Sequence, residues 1–176
     1  MESNIWGVDK NSINKKRYFS FHYVFQGCEN LESVGDIFNG FSETIYFESI
    51  FEGCSSLNNV DKDIFKGCNK VKSLAGCFYG CSSLIELDEN MFDSMKGSLI
   101  EISQSYDSNK KFRGIFEGCS NLQTCPKLWE WSQFSFDKIS KLSWDAYNGV
   151  EDSTIRNEII NKGLEEYWLE NHEIKD

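Results

Sequence analysis

Seven cysteines and two histidines are the side chains of this 176-residue chain best suited to chemistry. A cysteine nucleophile needs a base beside its thiol. His22 and His172 lie on opposite flanks of the cysteine-bearing region, and no spacing ties either one to a thiol. Cys77 and Cys81, four apart in "CFYGC", could share a metal, but zinc wants two more ligands. An odd cysteine count is no disulfide framework. Packing, redox chemistry and zinc therefore stay open as roles, with packing the expectation. No Gly-rich phosphate loop of the G-x-x-x-x-G-K-[ST] kind is present, and no pair of carboxylates stands out as a glycosidase pair. The chain is expected to be no enzyme, with no catalytic residues, metal or cofactor.

What the cysteines share is their neighbours. "FQGCENL" starts at Phe25, "FEGCSSL" at Phe51, "FKGCNKV" at Phe65, "FYGCSSL" at Phe78 and "FEGCSNL" at Phe116. A degenerate copy, "FNGFSET", starts at Phe38 with Phe41 in the cysteine's place, and a looser echo, "FDSMKGSL", starts at Phe92. The steps between starts are 13, 13, 14, 13, 14 and 24, and the long one contains the polar run "EISQSYDSNKK" (101–111), which reads as an inserted loop. Two half-units make one unit of 26–27 residues, inside the window of leucine-rich repeats.

The first half-unit is followed by spaced apolar pairs: Leu31/Val34, Leu57/Val60, Leu84/Leu87 and Leu122/Cys125. The second is followed by Val71/Leu74, and more loosely by Ile45/Phe47 and Leu99/Ile102. Each pair with its flanks predicts a short strand, and each Phe-x-Gly-Cys a tight turn that tucks Phe inward. Gly permits a positive φ or a close backbone approach. Cys is small and often buried, and suits a sharp bend. On this reading the cysteine recurs because the bend recurs, and stacked units bury a core that no single unit could.

The stretch "FEGCSSLNNVDKDIFKGCNKVKSLAGCFYGCSSLIELDENMF" (51–92) resembles the BspA-like leucine-rich repeats of many bacterial and phage proteins. The resemblance covers roughly residues 21–128. It implies an interaction scaffold, and many members of that family are exported or surface-anchored. The expected fold is an α+β to mainly β repeat: a short leucine-rich-repeat-like right-handed solenoid with a helical C-terminal cap. Residues 1–24 would form an N-terminal cap, 25–128 the solenoid, and 129–176 an aromatic-rich, partly helical cap. Within that cap, "DSTIRNEIINKGLEEYWLENHE" (152–173) predicts a helix capped by Asp152 or Ser153, with Ile155, Ile159, Ile160, Leu164, Tyr167 and Trp168 on one face.

The formal net charge is −10, which disfavours direct nucleic-acid binding and suits a basic protein partner. No stretch approaches the ~20 apolar residues of a membrane span, and the N-terminus lacks a signal-peptide core. The expectation is cytoplasmic placement in a bacterial or phage-infected cell, or secretion if a leader has been removed. Fifteen lysines against three arginines hint at an AT-rich genome. Positions that vary between units while the core letters persist are candidate partner contacts: Glu32, Asn58, Asn59, Asp61, Glu86, Asp88 and Gln123, with Glu165 and Glu170 on the polar face of the C-terminal helix. "VDKD" (60–63) and "LDEN" (87–90) follow strands at matching positions, and Asp36, Asp61 and Asp88 are expected to stack into an acidic column, able to bind Ca²⁺ or a basic protein. The expected function is a non-enzymatic protein-binding module, in its sharpest form a small acidic intracellular inhibitor. An immunity protein or a phage anti-defence (anti-CRISPR) protein would be of this kind, blocking a basic, nucleic-acid-handling enzyme. The alternative is a fragment of a bacterial surface or secreted adhesin.

Overall fold

The computed structural model describes residues 19–103, 114–131, 146–147, 149–159 and 161. Among the described residues there are four short strands: β1 (Phe19–Ser20), β2 (Ser33–Val34), β3 (Thr44–Tyr46) and β4 (Asn59–Val60). They pair in parallel, β1 with β3 and β2 with β4, so each strand lies beside its equivalent one unit on. The register of the second pair sets Ser33 against Asn59 and Val34 against Val60. Two parallel bridges, Tyr46 with Ser73 and Glu86 with Thr124, extend the same relation to later units. Among the described residues no helix is long and apolar enough to cross a membrane.

The heptapeptide makes the turn between strands. In its first half-unit form the Cys N–H donates to the Phe carbonyl and the following Leu N–H to the Cys carbonyl, as at Cys54 to Phe51 and Leu57 to Cys54, both 3.0 Å. Between units, the Phe and Gly N–H groups donate forward. Phe51 N–H reaches Cys77 O at 2.9 Å, and Gly53 N–H reaches Tyr79 O at 2.7 Å. Phe78 and Gly80 repeat this toward Ile115 and Glu117. The backbone polar groups of a buried turn are thereby satisfied.

The glycines of these turns sit at positive φ, Gly53 at 73° and Gly80 at 71°. They also stack backbone on backbone, since a Cβ added to Gly118 would lie 3.3 Å from the Gly80 Cα. The phenylalanines follow the same file. Phe25–Phe51, Phe51–Phe78 and Phe78–Phe116 stack at ring-centroid distances of 5.5, 5.4 and 6.1 Å. The second half-units form a parallel file, Phe38–Phe65–Phe92, at 6.2 and 6.0 Å. Both files and the spaced Leu and Val residues form one continuous cluster, buried except that Phe25, Leu31 and Val60 are partly buried and pack against it.

The first file runs further than the heptapeptide count. Tyr147 packs against Phe116 at 5.2 Å, and Phe116 N–H donates to Ala146 O. Gly149 takes φ 78° against Gly118, and Val150 N–H donates to Tyr147 O as Cys N–H does to Phe O elsewhere. "YNGV" (147–150) is thus one more copy, inside the segment assigned above to the cap.

One expectation fails. Leu99/Ile102 predicted a strand, but Lys96–Ser103 is a helix, α1, entered through a 3-10 turn at Asp93–Met95. Here the motif reads Phe-Asp-Ser-Met. Without glycine the chain does not take the left-handed turn, and it continues helically. Side chains replace the missing backbone contacts: Ser94 Oγ accepts from Gly67 N–H at 3.0 Å, and Ser98 Oγ donates to Val71 O at 2.7 Å. The run read as an inserted loop begins inside this helix, and its remainder from 104 lies outside the described residues.

At the far end Trp129 and Trp131 are buried. Tyr147 lies edge-on to Trp129 at 5.0 Å, and its hydroxyl donates to Pro126 O. Helix α2 (Ser153–Ile159) covers this region with Ile155 and Ile159. Asp152 caps it, its Oδ1 accepting from Thr154 and Ile155 N–H at 2.7 and 3.2 Å. Those backbone donors, Ile155 first, hold its carboxyl below the usual carboxylate range. Lys127 ties the helix to the repeat by reaching Glu158 at 3.0 Å and Glu89 at 3.4 Å. The N-terminal cap up to residue 18 and the predicted helix beyond 161, with Glu165 and Glu170, lie outside the described residues.

Candidate partner-binding face

Four of the motif cysteines find their partners in the backbone. Cys54 Sγ donates to Phe25 O at 3.1 Å, Cys68 to Phe38 O at 3.2 Å, Cys81 to Phe51 O at 3.1 Å and Cys119 to Phe78 O at 3.0 Å. Each thiol therefore bonds the motif phenylalanine of the preceding unit, and a weak donor is what the position uses. Burial pushes the Cys54 thiol up to about 11 and the Cys119 thiol up to about 12, and raises Cys77, Cys81 and Cys125 as well. Groups held as thiols at neutral pH are poor nucleophiles and poor metal ligands. Cys28, in the first copy, is exposed. Among the described residues no group of three or more His, Cys, Asp or Glu side chains is placed to hold a metal ion. His22 lies 3.4 Å from Glu48 and stacks on Tyr46.

The strand-flanking candidates come together in register. Glu32 O accepts from both Asn58 and Asn59 N–H, at 3.0 and 3.3 Å, and Val34 O accepts from Asp61 N–H at 2.9 Å. Ile85 O likewise accepts from Gln123 and Thr124 N–H, with Glu86 bridged to Thr124. Glu32, Asn58, Asn59, Asp61, Glu86 and Gln123 are all exposed, as is the apolar Ile85. One backbone frame thus carries Glu32 beside Asn58 and Asn59, and Glu86 beside Gln123.

The aspartates have a second task. Asp61 Oδ1 accepts from Asp63 N–H and Asp88 Oδ1 from Asn90 N–H, both at 2.8 Å, while Ile64 and Met91 N–H donate to the carbonyls of Asp61 and Asp88. Each opens the turn into the next half-unit as an Asx turn. Asp88 is half-buried in doing so. The periodicity of Asp61 and Asp88 accordingly has a local backbone cause, and one of their oxygens is already used.

A second surface feature lies at the motif's own variable letter, the x of Phe-x-Gly-Cys. Glu52, Tyr79 and Glu117 occupy that letter in three successive units and line one groove with Tyr23 and Glu48. Its signal in the sequence is the same one used for the strands, a letter that changes while its neighbours do not. No family model, curated protein or solved structure matches the chain.

Proposed function

We propose that the chain is a non-enzymatic protein-binding module, a short leucine-rich-repeat-like solenoid that grips a basic partner protein. In its sharpest form it is a small acidic inhibitor that covers the positive groove of a nucleic-acid-handling enzyme. One observation carries this reading: the recurrent letters are spent on the interior, while the changing letters stand exposed in register on a hydrogen-bonded frame. Phe, Gly and Cys bond or stack unit to unit. Glu32, Asn58, Asn59, Glu86 and Gln123 point their differences outward. A formal charge of −10 would steer a basic partner toward this face and speed encounter.

The test is capture from a native lysate by the chain and by a Glu32→Lys/Glu86→Lys variant, read across a salt series. The expected result is a basic protein retained by the parent chain, released as salt shortens the screening length, and lost to the variant. Retention that ignores both salt and charge reversal would overturn the reading.

A further inference from the structure

In the first half-units that start at Phe25, Phe51, Phe78 and Phe116, the chain turns left-handed two positions ahead of the phenylalanine. Tyr23, Ser49, Gly76 and Gly114 take φ of 61°, 53°, 64° and 64°. Beside them lies a groove of about 370 Å³, at the lower end of the range for ligand pockets. At Gly76 the neighbouring unit packs close, and an added Cβ would sit 2.8 Å from Ser49 Oγ. Tyr23 and Tyr79 line it, 56% and 41% exposed, and with Ile85 they are the exposed large hydrophobic side chains among the described residues. Aromatic surface gathered at one concavity is where a ligand or partner can be gripped. The remaining chemistry of the groove is carboxylate, from Glu48, Glu52 and Glu117. Glu48 faces His22 at 3.4 Å.

Exposed tyrosine rings and carboxylates lining one groove select one kind of group. A metal ion gains nothing from a tyrosine face, and an anion is repelled by the carboxylates. A planar cation stacks on the ring and takes the carboxylate through paired N–H donors. Guanidinium does both, whereas an ammonium is a compact, strongly hydrated charge. We infer that this groove receives the side chain of one arginine from a partner polypeptide, stacked on Tyr79 and paired with Glu52. None of the strand-face candidates lines the groove, so it is a second point of grip. It rests on the proposal that the partner is a basic protein, and its test needs no partner.

The full chain is titrated with N-acetyl-arginine amide, and in parallel with the matching lysine and citrulline compounds, following the Tyr23 and Tyr79 rings and the Gly76 amide by NMR. Saturable shifts confined to the groove are expected, with the arginine compound about tenfold tighter than uncharged citrulline. Tyr79→Ala and Glu52→Gln should each weaken it about fivefold while leaving distant resonances in place. Four results would overturn the inference: no saturable shift, equal shifts with citrulline, lysine binding as tight as arginine, or arginine binding unchanged in both variants. Glu32→Lys/Glu86→Lys should leave this titration unaltered, so failure of the strand face and failure of the groove are told apart.

Discussion

The two phenylalanine files begin alike and end differently. The first runs from Phe25 through Phe116 to Tyr147, with a left-handed glycine at every copy. The second runs from Phe38 to Phe65, keeps its glycines at 40 and 67, and at Phe92 gives way to a helix. Cysteine does not explain the difference. Phe41 and Val150 stand in its place in copies that still turn. Ser94 in place of glycine marks the copy that does not. Glycine decides whether the chain bends, and cysteine only fills and bonds the bend. The letter most conspicuous to a chemist is the more replaceable one.

The largest effect expected is on the packing common to both files. Phe65 touches Phe38, Phe47, Phe78 and Phe92 at centroid distances of 4.8–6.4 Å and is fully buried. Phe65→Ala should cost about 3–5 kcal/mol in a denaturant titration. Phe25→Ala, at a half-buried position, should cost clearly less. A loss at Phe65 no larger than at Phe25 would mean that the file is not the core.

Glycine substitutions should change sign between the regions. Gly80→Ala forces a side chain into the left-handed region and should cost about 1–2 kcal/mol. Gly97 lies in α1 with open space around its Cα, so Gly97→Ala should stabilise by up to about 1 kcal/mol through helix propensity. Equal signs would refute the assignment of the bend to glycine. Cys81→Ala should come lower, at about 1 kcal/mol, because the Phe51 carbonyl keeps its second donor, Cys54 N–H.

How much of this was legible follows from the same distinction. Spacing of Phe-x-Gly-Cys and of the apolar pairs located the turns and the strands at Val34 and Val60, because each letter there answers to one backbone geometry. Leu99/Ile102 misled because an apolar pair three apart suits a helix as well as a strand, and the missing glycine at 94 was the better signal. "YNGV" escaped because Tyr replaces Phe, Val replaces Cys, and the spacing is irregular. The Asp61 and Asp88 periodicity was visible, but its cause was not. An Asx turn and a ligand column look the same until the N–H groups of Asp63 and Asn90 are placed. The changing letter pointed to Glu52, Tyr79 and Glu117, but not to the groove they form with Tyr23. Tyr23 and Tyr79 come from non-equivalent letters of different units, and only stacking brings them to one concavity.

The smallest effect at neutral pH belongs to the thiols, and it grows with alkali. Burial raises Cys54 from its ordinary 9.0 to about 11 and Cys119 to about 12. Above about 9 the unfolded chain releases protons that the folded chain keeps. The unfolded state then binds fewer protons, and stability falls as pH rises. The contribution is whole below pH 9 and is lost progressively through the window up to 11–12. Denaturant midpoints taken from pH 7 to pH 11 should therefore be level at first and then decline. Tyrosine and lysine titrate in the same range, so the comparison that matters is with Cys54→Ala/Cys119→Ala. That variant should start lower at pH 7 and decline less steeply. Parallel curves would mean that these thiols ionise as freely in the folded chain as in the unfolded one. The cysteine file would then be open to solvent rather than sealed between units.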